Sequence, residues 1–297
     1  MKRIANGVEL SKQSWRALRA NPQLLLFPLI SMAAITVASA VFFGLIVAVG
    51  VLATLASPTA GGQRPLTSQQ TVEGVVVTFL YLFIAYTIVI FSNTALVGAT
   101  LQLLRGEPAT VVDGIRIASA RLGRIVVYAL ISATIGTLAR VGQSAAQTSD
   151  NAGAAIAAAI VGGLVQGAWS VVVFFAVPIL VAEDVGMIES LKRSATLFKR
   201  TWGEGFVGRT TLGGVAFLLG LAVVGVGAML VGLAAASGSA ALVMGAIVLV
   251  VLALACVGLL SGAINGVFQA SLYAYATTGN AGRFIDTALA RDAFRAA

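Results

Sequence analysis

The sequence predicts an all-α fold: a polytopic membrane bundle of six transmembrane helices in three hairpin repeats, with cytoplasmic interfacial amphipathic helices between them. Three observations lead there. Of 297 residues, 59% are hydrophobic and only 10% are charged, against about 25% charged in soluble domains. Six apolar runs recur, all but the third long enough without interruption to cross a hydrocarbon core of about 30 Å. Between them recur short basic segments with one apolar side. The clearest is residues 183–204, EDVGMIESLKRSATLFKRTWGE. Here Ile188, Leu191, Ala195 and Phe198 share one helical face, while Glu189, Arg193, Thr196 and Arg200 share the other. That apolar side is expected to rest in the membrane interface, with the arginines at the headgroups.

In chain order, residues 7–20 form the first interfacial helix. Val8, Ser11, Trp15 and Leu18 lie on one side and Lys12, Arg16 and Arg19 on the other, with Trp15 as the headgroup anchor. Asn21-Pro22 suits a helix cap followed by proline in the first turn. Leu24 to Ala56 is uncharged and would make about 50 Å of helix, so tilt, a break near Pro28 or projection beyond the bilayer is expected. Ala38-Ser39-Ala40 mimics a signal-cleavage site, but the apolar run continues past it and we expect no cleavage.

Ser57 to Gln70 reads as a loop, and the second span runs from about Val72 to Leu104 until Gly106-Glu107-Pro108 stops it. Thr110 and Asp113 have capping-box spacing for a second interfacial helix, with Val111, Ile115, Ala118 and Leu122 apolar. The third span starts at Ile125 and meets Arg140 after about 22 Å of helix. Gln143 to Gly153 is a polar loop. The fourth span covers about 154–182 with Pro178 near its end, the fifth about 206–236, and the sixth about 240–276 after a Ser237-Gly238-Ser239 turn. A last interfacial helix is expected over 280–297.

The chain reads as one integral membrane domain over 1–297, with repeat units of about 7–104, 105–182 and 183–276. The pattern S-x-x-L-x-basic at Ser194, Leu197 and Lys199 recurs at Ser119, Leu122 and Arg124. Six spans put both termini on one side. If that side is cytoplasmic, every one of the 19 Lys and Arg residues except Arg64 and Arg140 lies inside, which sets the expected orientation in the cell (inner) membrane.

The basic balance of +8 lies on membrane-facing helices. It points to membrane lipids, anionic ones in particular, and away from nucleic acid. Trp15, Lys12, Arg16, Arg19, Lys199, Arg200 and Trp202 are the expected interfacial lipid contacts. Gly258, Gly262 and Gly266 stand four apart, as do Gly163 and Gly167 with Ala159. Such faces let helices approach closely, within the chain, in a homo-oligomer or against a membrane-protein partner.

Arg140 must snorkel outward, pair with Glu73 or Asp150, or line a wet cavity facing an anion. With Asn93, Gln166, Asn265 and Gln269 it completes the set of ligand or pathway candidates. The four uncharged residues, together with Ser92 and Ser170, would form a polar seam between the even-numbered spans.

The chain contains no histidine and one cysteine, Cys256. No phosphate loop, metal-ligand cluster or nucleophile–base pair is apparent, so no catalytic residue, metal or cofactor is expected. Glu183, Asp184, Glu189 and Glu204 stand among basic residues and read as salt-bridged interfacial charge.

Trp15 to Ser31 (WRALRANPQLLLFPLIS), Phe91 to Val97 (FSNTALV), Pro108 to Arg116 (PATVVDGIR) and Phe174 to Glu183 (FFAVPILVAE), followed by Ser194 to Glu204 (SATLFKRTWGE), together resemble a family of uncharacterised prokaryotic six-span integral membrane proteins. Members of that family carry a Trp-Gly-Glu signature. They are distantly similar to the membrane domain attached to some glycerophosphodiester phosphodiesterases. The resemblance implies the six-span fold and carries over no catalytic residue, and the soluble barrel of the phosphodiesterase is missing. The expectation is a non-enzymatic scaffold or accessory subunit binding lipid or a membrane partner. The alternative is a transporter or channel for a lipid or small anion, and a weaker third reading is an intramembrane enzyme acting on lipid.

Overall fold

Each apolar run becomes a helix, as it must where no water is present to satisfy exposed backbone groups. The computed structural model describes residues 2–56, 68–147, 152–202, 207–280 and 282. Its helices are α1 (Lys2–Ala20), α2 (Leu26–Ala56), α3 (Ser68–Leu104), α4 (Val111–Ser119), α5 (Leu122–Gln147), α6 (Ala152–Val172), α7 (Ala176–Ala182), α8 (Met187–Trp202), α9 (Val207–Ala236) and α10 (Ala240–Thr278). No strand occurs among the described residues. Among the described residues, six segments are long and apolar enough to cross a membrane: α2, α3, α5, α6 with α7, α9 and α10. The order short helix, span, span recurs three times, with α1, α4 and α8 as the short helices. The C-terminal helix expected over 280–297, most of the Ser57–Gln70 loop and the centre of the Gln143–Gly153 loop lie outside the described residues.

Local chemistry sets the boundaries. α1 gives way to a 3-10 turn, Pro22–Leu25, before α2 begins. Asn21 does not cap that turn with its side chain; its amide donates back to the Ala17 carbonyl at 3.2 Å, closing the end of α1. Pro28 sits in the first turn of α2, where a missing N–H costs nothing, so the break falls before it. The Thr110 capping box is complete, with the Asp113 N–H donating to Thr110 Oγ1 and Asp113 accepting from the Thr110 N–H. Gly106 and Gly279 take positive φ where α3 and α10 end.

Packing is uneven along the spans. The core collects at the end where the short helices lie. It takes Phe27 of α2, Ile90 to Leu101 of α3, Ile125 to Ala133 of α5, all of α7 but its tail, and Ala263 to Tyr273 of α10. Toward the far halves most large apolar side chains of Val37 to Val47, Val72 to Leu80, Ile156 to Val165 and Leu242 to Leu254 are exposed. α9 packs on α10 and α1 and exposes Phe217 to Leu233 along most of its length. Hydrocarbon as solvent accounts for this, because helices gain nothing from hiding leucine from lipid and associate only where shape and polar groups draw them together.

The short helices depart from expectation in how they dock. α8 buries Met187, Ser190, Ser194 and Phe198 and leaves Ile188 54% exposed. Its buried face is therefore rotated away from the purely apolar stripe and rests on α5, α6 and α7. α1 likewise buries Ser14, Ala17 and Leu18 against the chain, packing on α9 and α10. The S-x-x-L-x-basic pattern does not mark equivalent places either. Ser194 is buried inside α8, whereas Ser119 is exposed at the end of α4.

Candidate functional site

The packed end is built around an interruption in the fourth span. Pro178 has no N–H, so the carbonyl four residues earlier, that of Phe174, loses its helical donor. Val173 to Phe175 form a tight turn in which Phe174 and Ala176 make three-residue bonds, and the Phe175 N–H is freed as well. Both orphaned groups find side-chain partners. Gln269 of α10 donates its amide to the Phe174 carbonyl, and Ser194 Oγ of α8 accepts from the Phe175 N–H at 2.9 Å. Irregular backbone at membrane depth survives only when enclosed in protein. Here Phe174 and Phe175 are 1% and 0% exposed, and the Phe174 ring meets those of Phe175 and Phe198 edge-on at 4.6 and 5.9 Å.

Below this turn lies a set of charges. Arg121, between α4 and α5, donates to the carbonyls of Leu180 (3.0 Å) and Val181 (2.7 Å), which end α7, and to that of Ile117 (3.1 Å) in α4. A cation closing two helix C-termini meets both the unpaired carbonyls and the helix dipole. Burial pulls the Arg121 pKa below its usual value. Arg124 pairs with Asp184 at 2.6 Å, and its hydrogen bond holds that carboxyl below the ordinary range. Arg193 bridges Glu189 (2.9 Å) and Glu183 (2.7 Å), and the Tyr273 hydroxyl donates to the other oxygen of Glu183 at 2.9 Å. The bond from Arg193 lowers the pKa of Glu189. Those of Glu189 and Glu183 raise that of Arg193. Asp184 and Glu189 are thus held ionised. Asp184 also sits at φ 51°, a left-handed turn that Asp tolerates better than most residues.

A cleft of about 250 Å³ lies between α2 and α3 beneath α4. Phe27, Ile30 and Ala34 form one wall, Ile88 and Phe91 the other, and Ile115 overhangs it. Its three hydroxyls are turned into backbone. Ser31 donates to Pro28 (2.9 Å), Thr87 to Phe83 (2.7 Å) and Ser92 to Phe27 (2.5 Å). The cleft therefore presents hydrocarbon. α4 closes down tightly at Gly114, where a Cβ would stand 2.4 Å from Phe27 Cζ and 2.7 Å from the Ala95 carbonyl oxygen.

The residues singled out in the sequence are scattered. Gln269 is buried at the Phe174 turn. Asn93 is half-buried on α3 beside Gly266 of α10. Asn265 is exposed, and the Gln166 side chain lies outside the described set. The seam thus reduces to the α3–α7–α10 junction. Arg140 stands exposed about 27 Å along α5 from Leu122 and makes no ion pair among the described residues; Asp150, one of its two expected partners, lies outside them. Among the described side chains no hydrogen bond joins it to Asn93, Asn265 or Gln269.

Gly266 meets Leu96, but a Cβ added at Gly258, Gly262, Gly163 or Gly167 would meet nothing within 4 Å among the described residues. Trp15 is half-buried under the Arg19 guanidinium at 5.2 Å. Lys12 and Arg16 approach Glu9 at 3.5 and 3.9 Å. Lys199 is exposed. The side chains of Arg200 and Trp202, like Gly203 and Glu204, lie outside the described set.

The sequence reading missed Ser194, Arg121 and Gly114 as positions that hold the site together. Pro178 was the available signal, since a proline in an apolar run announces an unpaired carbonyl four residues back. Among the described residues no cluster of metal ligands occurs. Residues 72–284 match the model of a family of unknown function, DUF6159. No curated protein and no solved structure matches the chain.

Proposed function

The chain belongs to DUF6159, and we propose that it is a non-enzymatic scaffold or accessory subunit of the cell membrane that binds lipid or a membrane-protein partner. One observation supports this above the rest. At the packed end Arg121, Arg193, Ser194 and Gln269 are engaged in holding helices to one another, while the other halves of the spans keep apolar and small-residue faces open. A molecule built that way has affinity left over for what surrounds it in the bilayer. The proposed orientation, read from the charge bias, has both termini in the cytoplasm.

Purification in mild detergent, followed by identification of retained lipid and protein, tests the reading. Replacing Gly258 and Gly262 by Leu is expected to release a retained protein partner or break a homo-oligomer without unfolding the chain. The transport alternative makes Arg140 essential. If Arg140→Ala leaves such a complex intact but abolishes anion or lipid flux in liposomes, the scaffold reading is wrong.

A further inference from the structure

We infer that the cleft between α2 and α3 is a binding site for a single acyl chain of a phospholipid in the leaflet where α4 lies. This deepens the lipid-binding half of the proposed function. All lining residues but Ile115 belong to membrane-spanning segments. Ile30 is 49% exposed and Ile115 38% exposed at the mouth, so the cleft opens sideways to the bilayer. The walls run along the helix axes from Phe27 to Ala34, about 10 Å. That lies within one leaflet's hydrocarbon depth of about 15 Å.

Size selects the occupant. At about 250 Å³ and about 10 Å long, the cleft has room for one narrow hydrocarbon chain of several methylenes. Chemistry agrees, because the Ser31, Thr87 and Ser92 hydroxyls already donate to backbone carbonyls, and a polar ligand would be desolvated with little returned. Arg116, next in sequence to the lining residue Ile115, is exposed and 3.4 Å from Asp113, a cation that a headgroup phosphate could meet.

The test uses the full chain in vesicles of phosphatidylethanolamine and phosphatidylglycerol doped with a phospholipid carrying a mid-chain diazirine. Photolabelling is expected to concentrate on Phe27–Ala34 and Thr87–Ala95. It should exceed labelling of the outward stretch Val41–Val47 by about tenfold, and Ala34→Phe, which excludes some two methylenes, should lower it by about as much. Ile30→Phe narrows the mouth from an exposed position and should act in the same direction if Ala34→Phe fails to fold; Val41→Phe should change nothing. Even labelling along α2, or cleft labelling that survives Ile30→Phe, overturns the inference. Cleft labelling without any retained protein partner supports the tail site and removes the partner half of the scaffold reading. A retained partner with even labelling does the reverse.

Discussion

The packed end of the molecule depends on a few side chains that replace missing backbone partners. Gln269→Leu strands the Phe174 carbonyl in an apolar interior and should cost about 1–3 kcal/mol, measured by thermal or denaturant unfolding in detergent. Pro178→Ala restores a backbone donor, so the Gln269→Leu penalty should shrink in that background; an unchanged penalty would detach Gln269 from the proline. Glycines divide equally sharply. Gly114→Ala puts a methyl against Phe27 and the Ala95 carbonyl and should cost about 1–3 kcal/mol, whereas Gly262→Ala, facing open space, should leave the monomer's melting unchanged or slightly raised. Asp113, Asp184 and Glu189 titrate below their ordinary values of 3.8 and 4.5 when folded. Each contributes stability that is fully present above those values and is lost as pH falls through the lowered ones. Acid melting curves should therefore drop below about pH 4, and Asp113→Asn should flatten part of that drop.

At the scale of elements, the spans were legible because a long apolar run has one fate in a membrane, and the Thr110–Asp113 box because its cue is local. The rotation of α8 was not. Periodicity reports which side is apolar, but protein interior and lipid are both apolar, so it cannot say which of them the side meets. What turned α8 inward was Ser190 and Ser194, small enough for close approach and, in Ser194, able to serve Phe175. The interruption before α7 was half legible: Pro178 marks the lost bond, but the residue that compensates for it lies on another span. If the docking is as described, Ser194→Leu should destabilise α8 selectively, seen as faster hydrogen exchange over Met187–Phe198 before the spans loosen.

For the whole molecule, α1, α4 and α8 at one end and the Ser237–Ser239 turn at the other define two faces, and the orientation proposed from the charge bias puts the first in the cytoplasm. In a Cys256→Ala background, an impermeant thiol reagent applied to intact cells should tag the Ser237→Cys variant and spare Lys192→Cys until lysis. The reverse pattern would invert the orientation. The core at one end and the lipid-facing halves at the other are both products of six apolar runs. Composition foretold the runs but not the unevenness, which arises from where the polar and small residues fall.

The bond from Gln269 to Phe174 joins positions 95 residues apart. Because synthesis proceeds from the N-terminus, the fourth span enters the bilayer with a bare carbonyl, and its partner emerges from the ribosome two spans later. Truncation before α10 should therefore leave the nascent chain with an open seam, a substrate for membrane quality control rather than a smaller working protein.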